Sequence, residues 1–382
     1  MRKVAVITGT RADYGIYRSV LEAMESHPKL EAGLIVTGMH LSPKFGLTID
    51  EIKKDGFLIE AEIPILSEND SGAEMANAIG KAILGFSEIL SKNRPDFVLL
   101  LGDRGEMLAG AIAAAHLNIP VAHMHGGEVS GTIDESVRHA VSKFAHLHFA
   151  ATDESARRLI KMGENKRYVF VVGAAGLDKI VQAKYPEPEI IGKELGLDLG
   201  QPVILCIQHP VTTEVESAGF QMEETMQALE SVKAQTVLIY PNSDAGHELM
   251  LEVISNYEGQ SWLKVFKSLS HDHYLGLLRI ARVLVGNSSS GIIEAPSFGL
   301  PVVNIGTRQQ GRQQGNNVLN VGYSRHQIKT ALKKALYDED FREYVKSSDN
   351  PYGNGYTGKK VAAILAEIQL DKDLLQKMLY FD

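Results

Sequence analysis

Short apolar runs rich in β-branched residues recur along this chain, each separated from the next by a longer stretch of helical period. That alternation restricts the fold more than any other feature. In the first half the runs are KVAVIT, EAGLIVTG, FVLLLGD, PVAHMHGG and LHFAAT. Between them lie YGIYRSVLEAMESH, EMANAIGKAILGFSEILSKN and GEMLAGAIAAAHLN. Strands separated by helices need right-handed crossovers, which predicts an α/β fold with a parallel sheet covered on both faces. YVFVVG closes this series, a Pro- and Lys-containing connector with a short helix spans 178–201, and the pattern restarts. PVILCIQHP, TVLIYPN, WLKVFKS, RVLVGNSSS and LPVVNIG form the second series. A chain of 382 residues accommodates two doubly wound, Rossmann-like domains. The last stretch, DKDLLQKMLYFD, reads as a helix with no strand after it.

Composition narrows the partners. A net charge of −8 lacks the clustered Lys and Arg that nucleic-acid backbones require, though a local pocket for a small anion remains open. The single cysteine, Cys206, sits in an apolar run and reads as a buried structural thiol in a reducing compartment. The basic start MRKVAVITGT turns polar after a few residues, so it reads as a first strand rather than a signal peptide. No run approaches transmembrane length, and a cytoplasmic protein with no membrane partner is expected.

In open α/β sheets ligands bind beyond the carboxyl ends of the strands, and the polar clusters of this chain fall there. TGTRADYG brings Arg11 to a strand end, where a guanidinium suits a phosphate or carboxylate; helix capping by Thr10 or Asp13 is the alternative. No GxGxxG or GxxxxGK[ST] accompanies it. LLLGDRGEM places Asp103 and Arg104 beyond an apolar strand, as a general base or as a helix cap. HMHGGEVSGTIDE offers His123, His125, Glu128, Asp134 and Glu135. His-x-His on a strand puts two rings on one face, but no third ligand stands nearby at helical spacing, so no metal is expected. TIDES reads as the capped start of the following helix. TGMHLSPKFG brings His40 and Lys44 near a strand end, where a mobile polar loop is at least as good a reading as a catalytic one. His209 of CIQHPVT and Asn242, Asp244 and His247 of YPNSDAGHE close two later strands. GNSSSGIIEAPSFGLPVVNIGTRQQGR is the most specific stretch. Its small-residue turn from Gly286 to Gly291, with Ser288 and Ser289, leads into a helix N-terminus suited to a pyrophosphate. Glu294, about a turn into that helix, suits a ribose diol, and Arg308 suits the phosphates.

Taken in order, TRADYG, VTGMHL, LGDR, HGGEVSGTIDESVRHA, QHP, PNSDAG, the GNSSSG segment and GNNVLNV resemble the hydrolysing UDP-N-acetylglucosamine 2-epimerase family over essentially the whole chain. The resemblance implies a glycosyltransferase-B-like fold, two Rossmann-like domains facing a cleft. It implies an N-terminal domain at 1–177 with acid–base residues, a nucleotide-diphosphate-binding domain at 178–360, and a C-terminal helix at 361–382 returning to the first domain. It implies nucleotide contacts from Arg11, Arg104, His209, Asn242, Gly286, Ser288, Ser289, Gly291, Glu294 and Arg308. Asp103, His125, Glu128, Asp134 and His209 become the catalytic candidates, with no metal and no cofactor. The implied reaction removes the C2 proton as UDP leaves C1, then hydrates the glycal with inversion at C2, taking UDP-GlcNAc to ManNAc and UDP in sialic or nonulosonic acid biosynthesis. A homodimer or homotetramer is implied as well. One position departs: many members read His-Ile-Glu-Gly-Gly-Glu where this chain has HMHGGE, putting His125 in place of an acid. That raises a UDP-2,4-diacetamido-2,4,6-trideoxy sugar as an alternative substrate, with a GDP-linked donor open. A glycosyltransferase of the same fold and a non-catalytic nucleotide-sugar sensor are the readings of other classes.

Overall fold

Seven strands form the first sheet of the computed structural model: β1 (Arg2–Thr8), β2 (Leu30–Thr37), β3 (Ile59–Ile63), β4 (Phe97–Leu101), β5 (Val121–Met124), β6 (Leu147–Ala150) and β7 (Val169–Val171). They run parallel in the order β3-β2-β1-β4-β5-β6-β7. A second parallel sheet holds β8 (Val203–Ile207), β9 (Gln235–Ile239), β10 (Leu263–Phe266), β11 (Val283–Gly286), β12 (Val302–Ile305) and β13 (Val318–Val321). Its order is β10-β9-β8-β11-β12-β13. The structure describes residues 1–43, 46–66, 72–129, 133–182, 185–242 and 244–380.

The continuous apolar runs are explained by burial on both faces. Along β1, Val4 and Val6 enter one layer with Tyr17, Leu21 and Met24, while Ala5 and Ile7 enter the other with Phe86, Leu90 and Ala109. Period-two alternation sends neighbours to opposite layers, and both layers are apolar, so the sequence shows no polar face. Two strands escape that signature. β3, IEAEI, carries a Glu at every second position, and β13, VLNV, is an edge strand with no fully buried position.

The chain divides into two units, Met1–Val181 with Tyr352–Asp382, and Gln182–Pro351. The divisions fall four and nine residues from the expected 177/178 and 360/361, for a local reason. Asp178 is buried and accepts hydrogen bonds from the backbone N–H groups of Thr357 and Gly358 at 2.8 and 2.6 Å. Those are orphan donors at the start of the helix Thr357–Glu367, so the carboxylate caps that helix and belongs with the unit it caps. Val361, Ala362 and Leu365 of this helix join the core beneath the Arg11–Glu25 helix. The return to the first unit is thus made by the helix Thr357–Glu367; of DKDLLQKMLYFD, only Lys372–Leu375 is helical among the described residues. Beyond it the chain turns so that Lys377 reaches the buried carboxylate of Glu164 at 2.5 Å, and Tyr380 N–H bonds the Gly163 carbonyl at 3.1 Å.

Candidate functional site

Each sheet reverses its strand order once, between β1 and β4 in the first and between β8 and β11 in the second. A crevice opens at such a point because the flanking connections leave on opposite faces. The candidate residues of each unit gather about these strand ends.

In the first unit Asp103 follows β4. It does not cap the next helix: Arg104 holds the N-cap position of Gly105–His116 and makes no side-chain cap bond. Asp103 instead accepts a short hydrogen bond through Oδ2 from Arg138 of the helix Ile133–Phe144. The same guanidinium donates to the Glu128 carbonyl at 3.0 Å, so one buried cation joins the β4 end to the loop after β5. Sequence reasoning passed over Arg138, although it lies four residues after Asp134 and therefore on the same helical face. Arg104 pairs at 3.4 Å with Glu106, not with Asp103.

The loop after β5 decides the roles of its two histidines. β5 ends at Met124, and His125 takes a left-handed backbone with φ +62°. Strand alternation stops there, so the two rings do not share a face. His123 is fully buried between the Gly102 carbonyl (2.7 Å) and Ser142 Oγ (3.1 Å). Burial pushes it down to about 3, making it a neutral structural group. His125 is 15% exposed, and its Nδ1 lies 2.7 Å from Glu128 Oε1. Its Nε2 is buried and has no hydrogen-bond partner among the described residues. Gly127 lets this loop pack tightly: a Cβ there would stand 2.3 Å from the Ser155 carbonyl. Asp134 is exposed in the first turn of its helix, and the Thr132 cap expected there lies outside the described residues.

Arg11 is 73% exposed, pairs with Glu51 at 3.3 Å, and opens its helix behind a capping box made by Thr10 and Asp13. The capping alternative therefore accounts for Thr10 and Asp13 and leaves Arg11 on the surface. His40 is no loop residue: it is fully buried, with Nε2 3.0 Å from Thr8 Oγ1 and Nδ1 2.7 Å from Thr48 Oγ1. Lys44 lies outside the described residues.

In the second unit Asn287 is the organiser the sequence did not reveal. It is buried, its Oδ1 accepts from His209 N–H at 2.7 Å, and its Nδ2 donates to the His209 carbonyl at 2.8 Å. Its own carbonyl accepts from Arg308 at 3.3 Å and from Gln309 at 2.8 Å. Asn287 thus ties the ends of β8 and β11 across the switch point with its side chain and seats the arginine with its backbone carbonyl. Gly286, beside it, has φ +131°, and a Cβ there would meet the Ile207 carbonyl at 2.0 Å. His209 Nδ1 accepts from Asn242 N–H at 3.0 Å, which leaves the ring's proton on Nε2. Burial, with Arg308 nearby, lowers His209 to about 4, so it presents a neutral N–H donor. The Asn242 side chain turns to Asp244, at 2.6 Å.

Ser288 caps the helix Ser289–Ile293, which is shorter than the sequence suggested, because Pro296 follows in a 3-10 turn at Ala295–Phe298. Glu294 therefore ends this helix, where its Oε2 accepts from Ser290 Oγ at 2.7 Å and Tyr274 OH at 3.0 Å. Tyr274, on the helix His271–Ile280, also makes a short hydrogen bond to Ser290 Oγ. Gly291 packs its turn against Val302 of β12. A cavity of about 290 Å³ opens here, lined among others by Ile207, Ile239, Tyr274 and Ser288. Cys206 is buried beneath, with burial pushing its thiol up to about 12, and is inert.

Two parallel sheets with clustered polar strand ends place the chain among α/β proteins of the glycosyltransferase-B-like fold. The UDP-GlcNAc 2-epimerase from Neisseria meningitidis, solved bound to UDP-GlcNAc, superposes with a TM-score of 0.78, covering 96% of this chain and 100% of that one at 18% identity. The family described as UDP-N-acetylglucosamine 2-epimerase matches residues 22–366. A UDP-N,N'-diacetylbacillosamine 2-epimerase (hydrolyzing) of Legionella pneumophila is 45% identical over 99% of both chains. A UDP-N-acetylglucosamine 2-epimerase of Neisseria meningitidis is 35% identical over 88% of each, and a GDP/UDP-N,N'-diacetylbacillosamine 2-epimerase of Campylobacter jejuni 35% over 84% of each. The chain belongs to the UDP-N-acetylglucosamine 2-epimerase family, as a hydrolysing nucleotide-sugar 2-epimerase. No described helix is long and apolar enough to cross a membrane.

Proposed function

We propose that this enzyme hydrolyses and 2-epimerises a UDP-linked 2,4-diacetamido-2,4,6-trideoxyglucose, releasing UDP and the free 2-epimer. The sequence put UDP-GlcNAc first. The 45% identity over 99% of both chains to the Legionella pneumophila enzyme carries the reversal of that order. His125 in place of an acid supports it, since a 4-acetamido group presents an amide where UDP-GlcNAc presents a hydroxyl.

The reaction sets two physical demands. The C2 proton is weakly acidic, so it leaves only as the C1–O bond to the diphosphate breaks. Negative charge then gathers on the leaving diphosphate and is met by fixed donors. The second unit supplies those: Arg308, the neutral Nε2–H of His209, and the backbone and hydroxyl donors from Gly286 through Ser288, Ser289 and Gly291. Glu294, with Oε2 held by Ser290 and Tyr274, keeps Oε1 for a ribose diol, and Asn242 orients His209. The first unit supplies the acid–base groups Asp103, His125, Glu128 and Asp134, with Arg104 and Arg11 as further anion contacts. Water then adds at C1 and a proton returns to C2 from the opposite face, so the sum is substrate plus water to sugar plus UDP, with no redox change.

The test is incubation in deuterated water with UDP-GlcNAc, the diacetamido donor and its GDP counterpart, without an acceptor. Free UDP and a C2-inverted reducing sugar with deuterium at C2 are expected, fastest from the diacetamido donor. Nucleotide release that yields an unlabelled, uninverted sugar, or that needs an acceptor, defeats the reading in favour of a glycosyltransferase.

A further inference from the structure

We infer that Nε2 of His125 is the base that removes the C2 proton, with Glu128 fixing its tautomer and Arg138 fixing the loop that carries both. This assignment rests on the epimerase reading above. Three observations on the β5 loop carry it. Glu128 Oε1 lies 2.7 Å from His125 Nδ1, and a carboxylate so placed takes the ring's N–H. The neutral ring then carries its lone pair on Nε2. That atom is buried and has no partner among the described residues, at a strand end of the switch-point edge, so it is left to meet a ligand. The backbone at His125 is left-handed, φ +62°, although the residue is not glycine, and such strain gathers where a side chain must be aimed.

The neighbouring carboxylate is a weaker rival. Asp103 has its Oδ2 occupied by Arg138. It remains an anion through the step, available to offset positive charge developing on the sugar. In the proposed step the Nε2 lone pair takes the C2 proton, and the C2–H electrons form the C1=C2 bond. The C1–O electrons leave with the diphosphate. The imidazolium keeps its Nδ1–H on Glu128 and returns the captured proton to water after the sugar departs. The proton that later reaches C2 comes from the other face and from solvent, as inversion requires.

The left-handed backbone dictates the variants. Gly and Asn both accept φ near +60°, so His125→Gly and His125→Asn remove the base without forcing the chain from its conformation. Ala would add backbone strain. Both variants are expected to release UDP about 100-fold or more slowly from the diacetamido donor, a usual cost of losing a general base. Their UDP affinity by calorimetry and their circular dichroism should match wild type, since His125 is not among the nucleotide contacts. Added imidazole should restore release and C2 deuteration in His125→Gly, whose missing ring leaves a matching hole, and not in His125→Asn. Glu128→Gln should slow release and enlarge the primary isotope effect of a C2-deuterated donor, because proton removal becomes more fully rate-limiting. Near-wild-type release by His125→Asn, or a His125→Gly enzyme that binds UDP but gains nothing from imidazole, overturns the assignment. A wild-type enzyme inert towards the UDP and GDP donors alike defeats the epimerase reading and this assignment with it.

Discussion

Single residues set the limits on what this site tolerates, and Gly286 is the plainest case. Its φ of +131° and the 2.0 Å approach of the Ile207 carbonyl mean that Gly286→Ala must move backbone. A cost of about 2–4 kcal/mol is expected, read as a fall in the thermal midpoint. Asn287 makes a different kind of demand. Asn287→Ala leaves the His209 N–H and carbonyl unpaired at a buried strand end, and UDP affinity should fall about tenfold or more, with the donor sugar felt little. An unchanged dissociation constant for UDP would remove Asn287 from the nucleotide site. His125→Glu restores the acid that many relatives of the resembled family carry. If the ring tunes substrate choice as well as serving as base, this variant shifts the ratio of rates on the two UDP donors, whereas an equal loss on both leaves it a purely chemical role. None of these contacts could be read from composition. The acid-to-histidine change was visible in HMHGGE, but the tautomer follows from a 2.7 Å contact that spacing alone cannot supply.

Among the elements, the strands were legible because both faces of each sheet are buried, so apolar runs stand out without needing a period. β3 and β13 were not, since one alternates with Glu and the other is an edge strand with no fully buried position. The clusters at strand ends were likewise legible, because parallel topology sends every carboxyl end to one edge of its sheet. What stayed hidden were the residues that join elements: Arg138 between β4 and the β5 loop, Asn287 between β8 and β11, Tyr274 behind Glu294. Each acts on a neighbour far away in sequence, and no local pattern records that. The helix Ile133–Phe144 shows how such joins accumulate. Arg138 reaches the β4 end, Ser142 Oγ reaches His123, and the Ser142 and Ala145 carbonyls accept Lys377 at 2.9 and 2.5 Å. A cation on those carbonyls compensates the unpaired end of the helix. Lys377→Met should therefore cost about 2–3 kcal/mol by leaving Glu164 less fully compensated, measured by denaturant unfolding.

At the scale of the whole molecule, the pH dependence of folding should come mainly from the first unit, with buried His209 of the second, lowered to about 4, adding to it. Burial lowers His123 to about 3 and His146 to about 4, from an ordinary value of 6.5. Below about 6.5 the unfolded chain takes up protons that the folded one refuses, so their contribution is whole above that pH. It is lost as pH falls through the window from 6.5 towards 4 and 3. Burial would raise Glu164, but His148, Lys377 and Lys143 hold it at about 2, so its contribution is present above about 4.5 and lost towards pH 2. Unfolding midpoints should fall steadily from pH 6.5 downward, and a midpoint flat to pH 4 would contradict this account. The first unit is also discontinuous: its core needs Val361 and Leu365, and Glu164 needs Lys377. During synthesis the ribosome therefore delivers the whole second unit before the first can close, reversing the usual order in which N-terminal domains mature first. A released chain truncated after Pro351 should carry a protease-resistant second unit beside a first unit still open to cleavage, and the segment from Tyr352 onward would act as the step that commits the enzyme to its folded state.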